Sequence, residues 1–198
     1  MKKMKNILIA ALIITGTSMS FTACKKGEGD PFLSLRTRKA RVAGEWKLSK
    51  IEGTRSYVFA SNTITETVTY DGTIETTVTT PGNFTSTDKY TVEYTFEKDG
   101  TFKIVYTDNN GSSASVTTIT GVWNFTGGVG DFKNKSQIIL YTESESDGTS
   151  TVNYTGSDRP QMLFDLYQLK NKEIILEEKG TQSNNSENVS KKYTLTAK

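Results

Sequence analysis

The strongest constraint on this chain is an alternation of period two that governs most of its length. KYTVEYTF (residues 89–96) sets Tyr90, Val92, Tyr94 and Phe96 on one side and Thr91, Glu93 and Thr95 on the other. Side chains that alternate in this way line opposite faces of a β-strand, not one stripe of a helix. EKDG follows, and Asp99-Gly100 suits a tight hairpin that needs positive φ. TFKIVYT then returns with Phe102, Ile104 and Tyr106 again on one side. The same grammar recurs in TITETVTY-DG-TIETTVTT, a second hairpin with Asp71-Gly72 at its tip. Its faces are polar, with Thr65, Thr67 and Thr69 against Ile64, Glu66, Val68 and Tyr70. Its arms are therefore expected to extend beyond the core into solvent.

Later segments read the same way: SVTTITGVWNF, SQIILYTE, STVNY, LFDLYQL, EIILEEK and KKYTLTA, separated by Gly, Asn, Asp or Ser. No strong helical pattern follows Gly44. About eight to ten consecutive strands joined by short turns leave two architectures, a sandwich or a closed barrel. A sandwich needs long crossovers, and the segment from Asp147 to Pro160 is one of few candidates. Closure removes exposed edges, which matters for long, uncharged, threonine-rich strands. The expected fold is all-β, an antiparallel up-and-down β-barrel of about 8–10 strands with a short N-terminal helix.

Composition then restricts the chemistry. The chain has no histidine and one cysteine. The usual general base near neutral pH, the Ser-His triads and the commonest metal ligand are all missing, as is any intrachain disulfide. Basic and acidic residues number 24 and 22, so no long-range field gathers nucleic acid. Glu143, Glu145 and Asp147 lack the glycine and terminal glutamate of a calcium loop and read as a solvated strand end. Gly127-Gly128-Val129-Gly130 lacks the following helix and Lys-Ser/Thr ending of a phosphate cradle and reads as a loop. No catalytic residue, metal or cofactor is expected, and the chain reads as a non-enzyme.

Its single thiol lies in SFTACKKGEGD, after the basic start MKKMKN and the apolar stretch ILIAALIITG. A positive start, an apolar centre and a small residue before the cut form the layout of a secretory signal. The run from Ile7 to Ile14 is too short for a span, which needs roughly 20 apolar residues. Phe21-Thr22-Ala23-Cys24 resembles the lipobox of bacterial lipoproteins, with Phe21 in place of the usual aliphatic residue. That resemblance implies a signal peptide over residues 1–23 and a lipidated Cys24 as the mature N-terminus, carrying a diacylglyceryl thioether and an acylated amine. Several chains anchor a protein essentially permanently where one holds only marginally. Losing Lys2, Lys3 and Lys5 with the leader takes the formal net charge from +2 to −1. The implied location is the envelope of a Gram-negative bacterium, with the membrane as partner through acylated Cys24. The outer membrane is favoured because no aspartate follows Cys24 directly, and the periplasmic or surface side is left open.

Residues 24–31 read as a flexible tether and 32–43 as a short helix stopped by Gly44. Arg36, Arg38, Lys39 and Arg41 could meet phospholipid headgroups, or the helix could plug or pack on the body with its charges solvated. From residue 44 to 198 the chain reads as one β domain. It opens with GEWKLSKIEG, and YTFEKDGTF, GVWNF, LYQLKNKEIILEEKG and YTLTA follow in order. Gly44-Glu45-Trp46 resembles the Gly-x-Trp signature of lipocalins, and the order of segments resembles the lipocalin-like domains of bacterial lipoproteins. No Thr-Asp-Tyr element is present, and Arg159 sits in a loop-like Ser-Asp-Arg-Pro stretch and not where it could stack on Trp46. The resemblance is therefore to the bacterial group and not to the transport lipocalins. It implies that Trp46 plugs the closed end of a barrel.

An eight-stranded barrel either fills with side chains or holds one small molecule. Tyr90, Tyr94, Phe102 and Tyr106 are the candidate contacts for a small apolar or amphipathic ligand. Tyr94 and Tyr106 lead because they lie on adjacent arms and carry a polar handle. The competing reading has these side chains simply filling the core. In the alternative function, the threonine-rich hairpin from Ile64 to Thr80 contacts a protein or glycan partner.

Overall fold

The computed structural model describes residues 37–127, 136–182 and 187–198. A short helix, α1 (Arg38–Val42), precedes eleven strands: β1 (Gly44–Phe59), β2 (Asn62–Tyr70), β3 (Ile74–Thr80), β4 (Phe84–Phe96), β5 (Thr101–Asp108), β6 (Ser115–Thr126), β7 (Gln137–Ser146), β8 (Thr151–Asn153), β9 (Gln161–Leu169), β10 (Glu173–Gln182) and β11 (Glu187–Ala197). Every pairing is antiparallel, and each strand of the ring pairs with its neighbours in the chain except where β8 intervenes. β6 pairs with β7 and β1 with β11, which closes ten strands into a barrel and leaves β8 outside on the edge of β7. The all-β, up-and-down barrel read from the alternation is the fold observed. The Asp147–Pro160 segment is an excursion through β8 and a 3-10 turn (Gly156–Asp158), after which β9 pairs with β7.

The barrel changes girth along its axis. At one end, Gly44–Lys47 of β1 pair directly with Glu93–Phe96 of β4. Further along the two strands separate, and the β2–β3 hairpin fills the gap, with β1 on β2 and β4 on β3. The ring therefore has eight staves at the base and ten above it.

This arrangement corrects the reading of the threonine-rich hairpin. Its Asp71-Gly72 turn does not project into solvent but is wedged into the wall where β1 and β4 part. Tyr90 donates its backbone N–H to the Thr73 carbonyl at 3.0 Å, tying the wedge to β4. Val68 and Tyr70, next to the turn, are core residues. The exposed ends are the opposite ones, where Phe59 and Phe84 flank the turns β1–β2 and β3–β4. An Asp-Gly pair specifies a reversal, not exposure. The inner face of the hairpin is apolar on β2 beside the turn, at Val68 and Tyr70, and polar along β3, at Glu75, Thr77 and Thr79.

The base is sealed. Thr37 caps α1, its Oγ1 accepting from the Ala40 N–H at 3.1 Å. Val42 is fully buried, and Trp46 donates its indole N–H to the Val42 carbonyl at 2.8 Å. Arg41 donates to the Leu169 carbonyl at 2.6 Å. Trp123 donates to the Glu97 carbonyl at 3.1 Å, and Phe96 meets its ring edge-on at 5.7 Å. Each indole thus buries its apolar body and satisfies its one donor. The helix packs on the body, but its charges are not simply solvated, because Arg41 is buried. Residues 32–36 lie outside the described residues, as do the leader, Cys24, the tether and Gly128-Val129-Gly130.

Gly121 sits at a register shift in the closing β6–β7 pair. A β-carbon there would lie 2.0 Å from the Tyr141 carbonyl oxygen and 2.9 Å from the Phe102 ring. Only a residue without a side chain lets the ring coil this tightly. One contiguous core runs from Val42 to Leu195, so the whole closed ring and its core fall within residues 37–198.

Candidate functional site

Girth decides where the barrel is solid. Eight staves are just filled by side chains, and the diameter grows with strand number. At the eight-stave base, Trp46, Phe96, Phe102, Trp123, Leu140, Leu169, Ile174 and Leu195 are all buried. Tyr94, opposite Trp46 at the upper edge of that base, and beyond it Tyr106, Ile119, Met162 and Tyr193 turn inward as well, and they pack against the core yet stay partly exposed. An inward side chain in a closed wall meets solvent only through the lumen. The barrel is a cup with a sealed floor.

Tyrosines dominate its lining. The rings of Tyr70 and Tyr90 stack at 4.8 Å, and those of Tyr90 and Tyr106 approach to 5.1 Å. Tyr70 donates its hydroxyl to the Tyr90 carbonyl at 2.9 Å. Tyr90 donates to the Glu75 carboxylate, and Tyr193 donates to Glu178 at 2.6 Å. Tyr94 has no hydrogen-bond partner for its hydroxyl among the described residues. Burial pushes the Tyr94 hydroxyl up to about 12. It pushes Tyr70 to about 12 as well, with the Asp71 carboxylate adding to the effect. Tyr90 and Tyr193 are raised further, by burial first and then by the carboxylates that accept their protons' hydrogen bonds. Charged phenolates are disfavoured throughout, so the lining stays neutral and donating.

At the rim, Arg55 bridges three strands. Its Nε lies 2.7 Å from Glu187 and its NH1 3.6 Å from Glu66, while Tyr57 donates to Glu66 at 3.2 Å. A separate open cleft of about 420 Å³ lies over the wedge turn, lined by Ser49, Lys50, Thr69, Tyr70, Asp71, Ile74 and Thr76.

Among the residues singled out from the sequence, Tyr90, Tyr94 and Tyr106 come together in the cup. Phe102 lies in the floor, opposite Phe96 and Gly121 and only 3% exposed. Trp46 occupies the base. Tyr70, Tyr193, Glu75 and Glu178 were not singled out. Tyr193 alternates with Leu195 in KKYTLTA, which is the signal that could have found it. Glu143 pairs with Arg159 at 3.2 Å, and Asp147 caps its own turn. Among the described residues, no group of three or more His, Cys, Asp or Glu is placed to hold a metal ion.

No family model matches the chain, and no curated protein matches it at a significant level. The closed antiparallel barrel is consistent with a lipocalin-like architecture, and that likeness rests on the strands alone.

Proposed function

We propose that this protein is a lipid-anchored lipoprotein of the outer membrane that binds a small apolar or amphipathic molecule inside its barrel, without catalysis. One observation carries the binding role: inward side chains remain accessible above a sealed aromatic floor. Apolar burial would supply the affinity, and hydroxyls would orient the guest. The anchor rests on the lipobox-like Phe21–Cys24 stretch. α1 and Trp46 lie at the sealed end of the barrel.

The chain from Lys25 onward holds the whole ring and core. Native mass spectrometry of that chain, purified without detergent, should reveal a co-purifying small molecule that organic extraction removes. A homogeneous, ligand-free mass that also fails to take up a fluorescent apolar probe would end the reading. Incorporation of labelled palmitate by wild type but not by Cys24→Ala tests the anchor separately.

A second reading, a non-catalytic envelope module contacting a protein or glycan, is favoured by a different feature. Phe59 and Phe84 are 69% and 70% exposed at the outer ends of the arms. Under that reading, Phe59→Ser with Phe84→Ser abolishes partner capture, and lumen variants leave it unchanged.

A further inference from the structure

The inner face of the ten-stave section carries an unbalanced set of charges. Register turns Glu66, Glu75, Asp88, Asp108, Glu178 and Glu187 toward the lumen, against Arg55 and Lys191. Arg55 is already held by Glu187 and Glu66. Glu75 and Glu178 accept hydrogen bonds from Tyr90 and Tyr193, which are neutral donors, and neither forms an ion pair among the described residues. Glu178 has Lys191 across the β10–β11 pair without an ion pair between them, whereas Glu75 stands between Tyr70 and Asp88 with no cation opposite it.

These two carboxylates belong to different walls, β3 and β10, and register turns both toward the lumen, where Tyr193 donates to Glu178 and Tyr90 to Glu75. They face a common space. That space is open at Gly180, where a β-carbon would meet nothing within 4 Å. Phe164 meets the Tyr193 ring edge-on at 5.6 Å, and Ile119, Met162 and Phe164 supply an apolar, partly buried lining. Half-buried carboxylates next to apolar surface interact with a cation more strongly than carboxylates in bulk water do. Tyrosine faces add cation–π attraction.

We propose that the cup selects amphiphiles with a cationic head, an amine or quaternary ammonium, whose tail lies on Ile119, Met162 and Phe164 and whose head meets Glu75 and Glu178. This rests on the binding reading given above and specifies its ligand class.

Three probes with one tail separate the two ideas: decylammonium, decanol and decanoate, titrated below micelle formation into the chain from Lys25 onward. Decylammonium is expected to bind at least about tenfold tighter than decanoate, with decanol between them. In Glu75→Gln with Glu178→Gln, the ratio should fall to about threefold or less while decanol affinity is unchanged. In wild type the preference should shrink as salt rises, a check that does not depend on how the variant folds. Equal binding of all three, tighter binding of decanoate, or a preference insensitive to salt would overturn the charge selection and leave the cup intact. Binding of none of them would overturn both.

Discussion

Gly72 stands over the backbone of Ser49: a β-carbon built on it would lie 3.4 Å from the Ser49 carbonyl oxygen, at a φ of 101°. Ser49 is the bulged residue of β1, and its hydroxyl donates to the Thr194 carbonyl at 3.0 Å. A bulge bends one strand away from its neighbour, and here the hairpin tip occupies the space that opens. The wedge that widens the barrel is thus a contact between one glycine and one bulge.

Gly72→Ala should therefore cost about 1–3 kcal/mol, combining left-handed strain with crowding against Ser49. Gly82→Ala is the control, because Gly82 has a φ of 112° but nothing within 4 Å of its would-be β-carbon. Urea midpoints should rank wild type above Gly82→Ala above Gly72→Ala. Amide exchange at Tyr90, which donates to Thr73, should accelerate in the Gly72 variant while exchange in the floor does not. Equal midpoints for the two variants would show that the wedge contact carries no weight.

Asp-Gly-Thr recurs at three turns, at residues 71–73, 99–101 and 147–149, with glycine φ values of 101°, 105° and 85°. Each aspartate accepts from backbone N–H groups of its own turn: Asp71 from Thr73 and Ile74, Asp99 from Thr101, Asp147 from Thr149 and Ser150. Those bonds hold all three carboxyls below their ordinary value of 3.8. A depressed folded-state value means stability that is present above the unfolded value and lost as pH falls through the folded one. Wild-type urea midpoints should accordingly decline below about pH 4. The triple Asp→Asn variant keeps an accepting oxygen in each turn and should show a flatter acid limb. Parallel acid limbs would refute this account.

Local chemistry explains how much of this was legible in the sequence. Alternation placed Tyr90, Val92, Tyr94 and Phe96 on the inner face because a strand's period is fixed by its backbone. Asp99-Gly100 marked a reversal because few residues tolerate positive φ. The change from eight staves to ten was not legible. It depends on which strand lies beside β1, a long-range choice between β4 and β2 that no local pattern encodes. The same limit hid Glu75 and Glu178, whose neighbours Tyr90 and Tyr193 come from other strands. For the same reason the threonines of the hairpin point its arms toward solvent in the sequence, while Val68 and Tyr70 beside the turn belong to the core.

Alkaline pH should reveal the tyrosine cluster. Tyr70 and Tyr94 are held at about 12 against an ordinary 10, and Tyr90 and Tyr193 are higher still. With folded values raised above unfolded ones, stability is complete below pH 10 and is lost as pH climbs toward the folded values, because only the unfolded chain releases its protons there. Ultraviolet absorbance should show phenolates forming in two stages in the native protein and in one stage near pH 10 in urea. A single native transition near 10 would contradict the burial of these hydroxyls.

Closure itself can be tested at Gly121. A methyl there would collide with the Tyr141 carbonyl and the Phe102 ring, both part of the packed base. Gly121→Ala should cost about 3 kcal/mol or more, since neither backbone nor a core ring yields cheaply. Gly180→Ala, with open space around it, should stay within about 0.5 kcal/mol of wild type. Finding the two substitutions equally tolerated would mean that β6 and β7 do not meet in the register described.

Tyr94 separates a packing role from a binding one. Its ring lies against Phe96 at 6.1 Å, and its hydroxyl has no partner among the described residues, so Tyr94→Phe removes no intramolecular hydrogen bond. A hydroxyl with no protein partner contributes nothing to folding that phenylalanine would not supply. The urea midpoint should hold steady or rise slightly. Affinity for an amphipathic probe such as decylammonium should instead fall about three- to tenfold, the worth of one hydrogen bond to a bound guest. Tyr106→Phe, on the neighbouring β5 and opposite Val92, provides the comparison within the cup. An unchanged affinity in both variants would remove these hydroxyls from the site, and a drop in stability for Tyr94→Phe would show that the hydroxyl serves the fold.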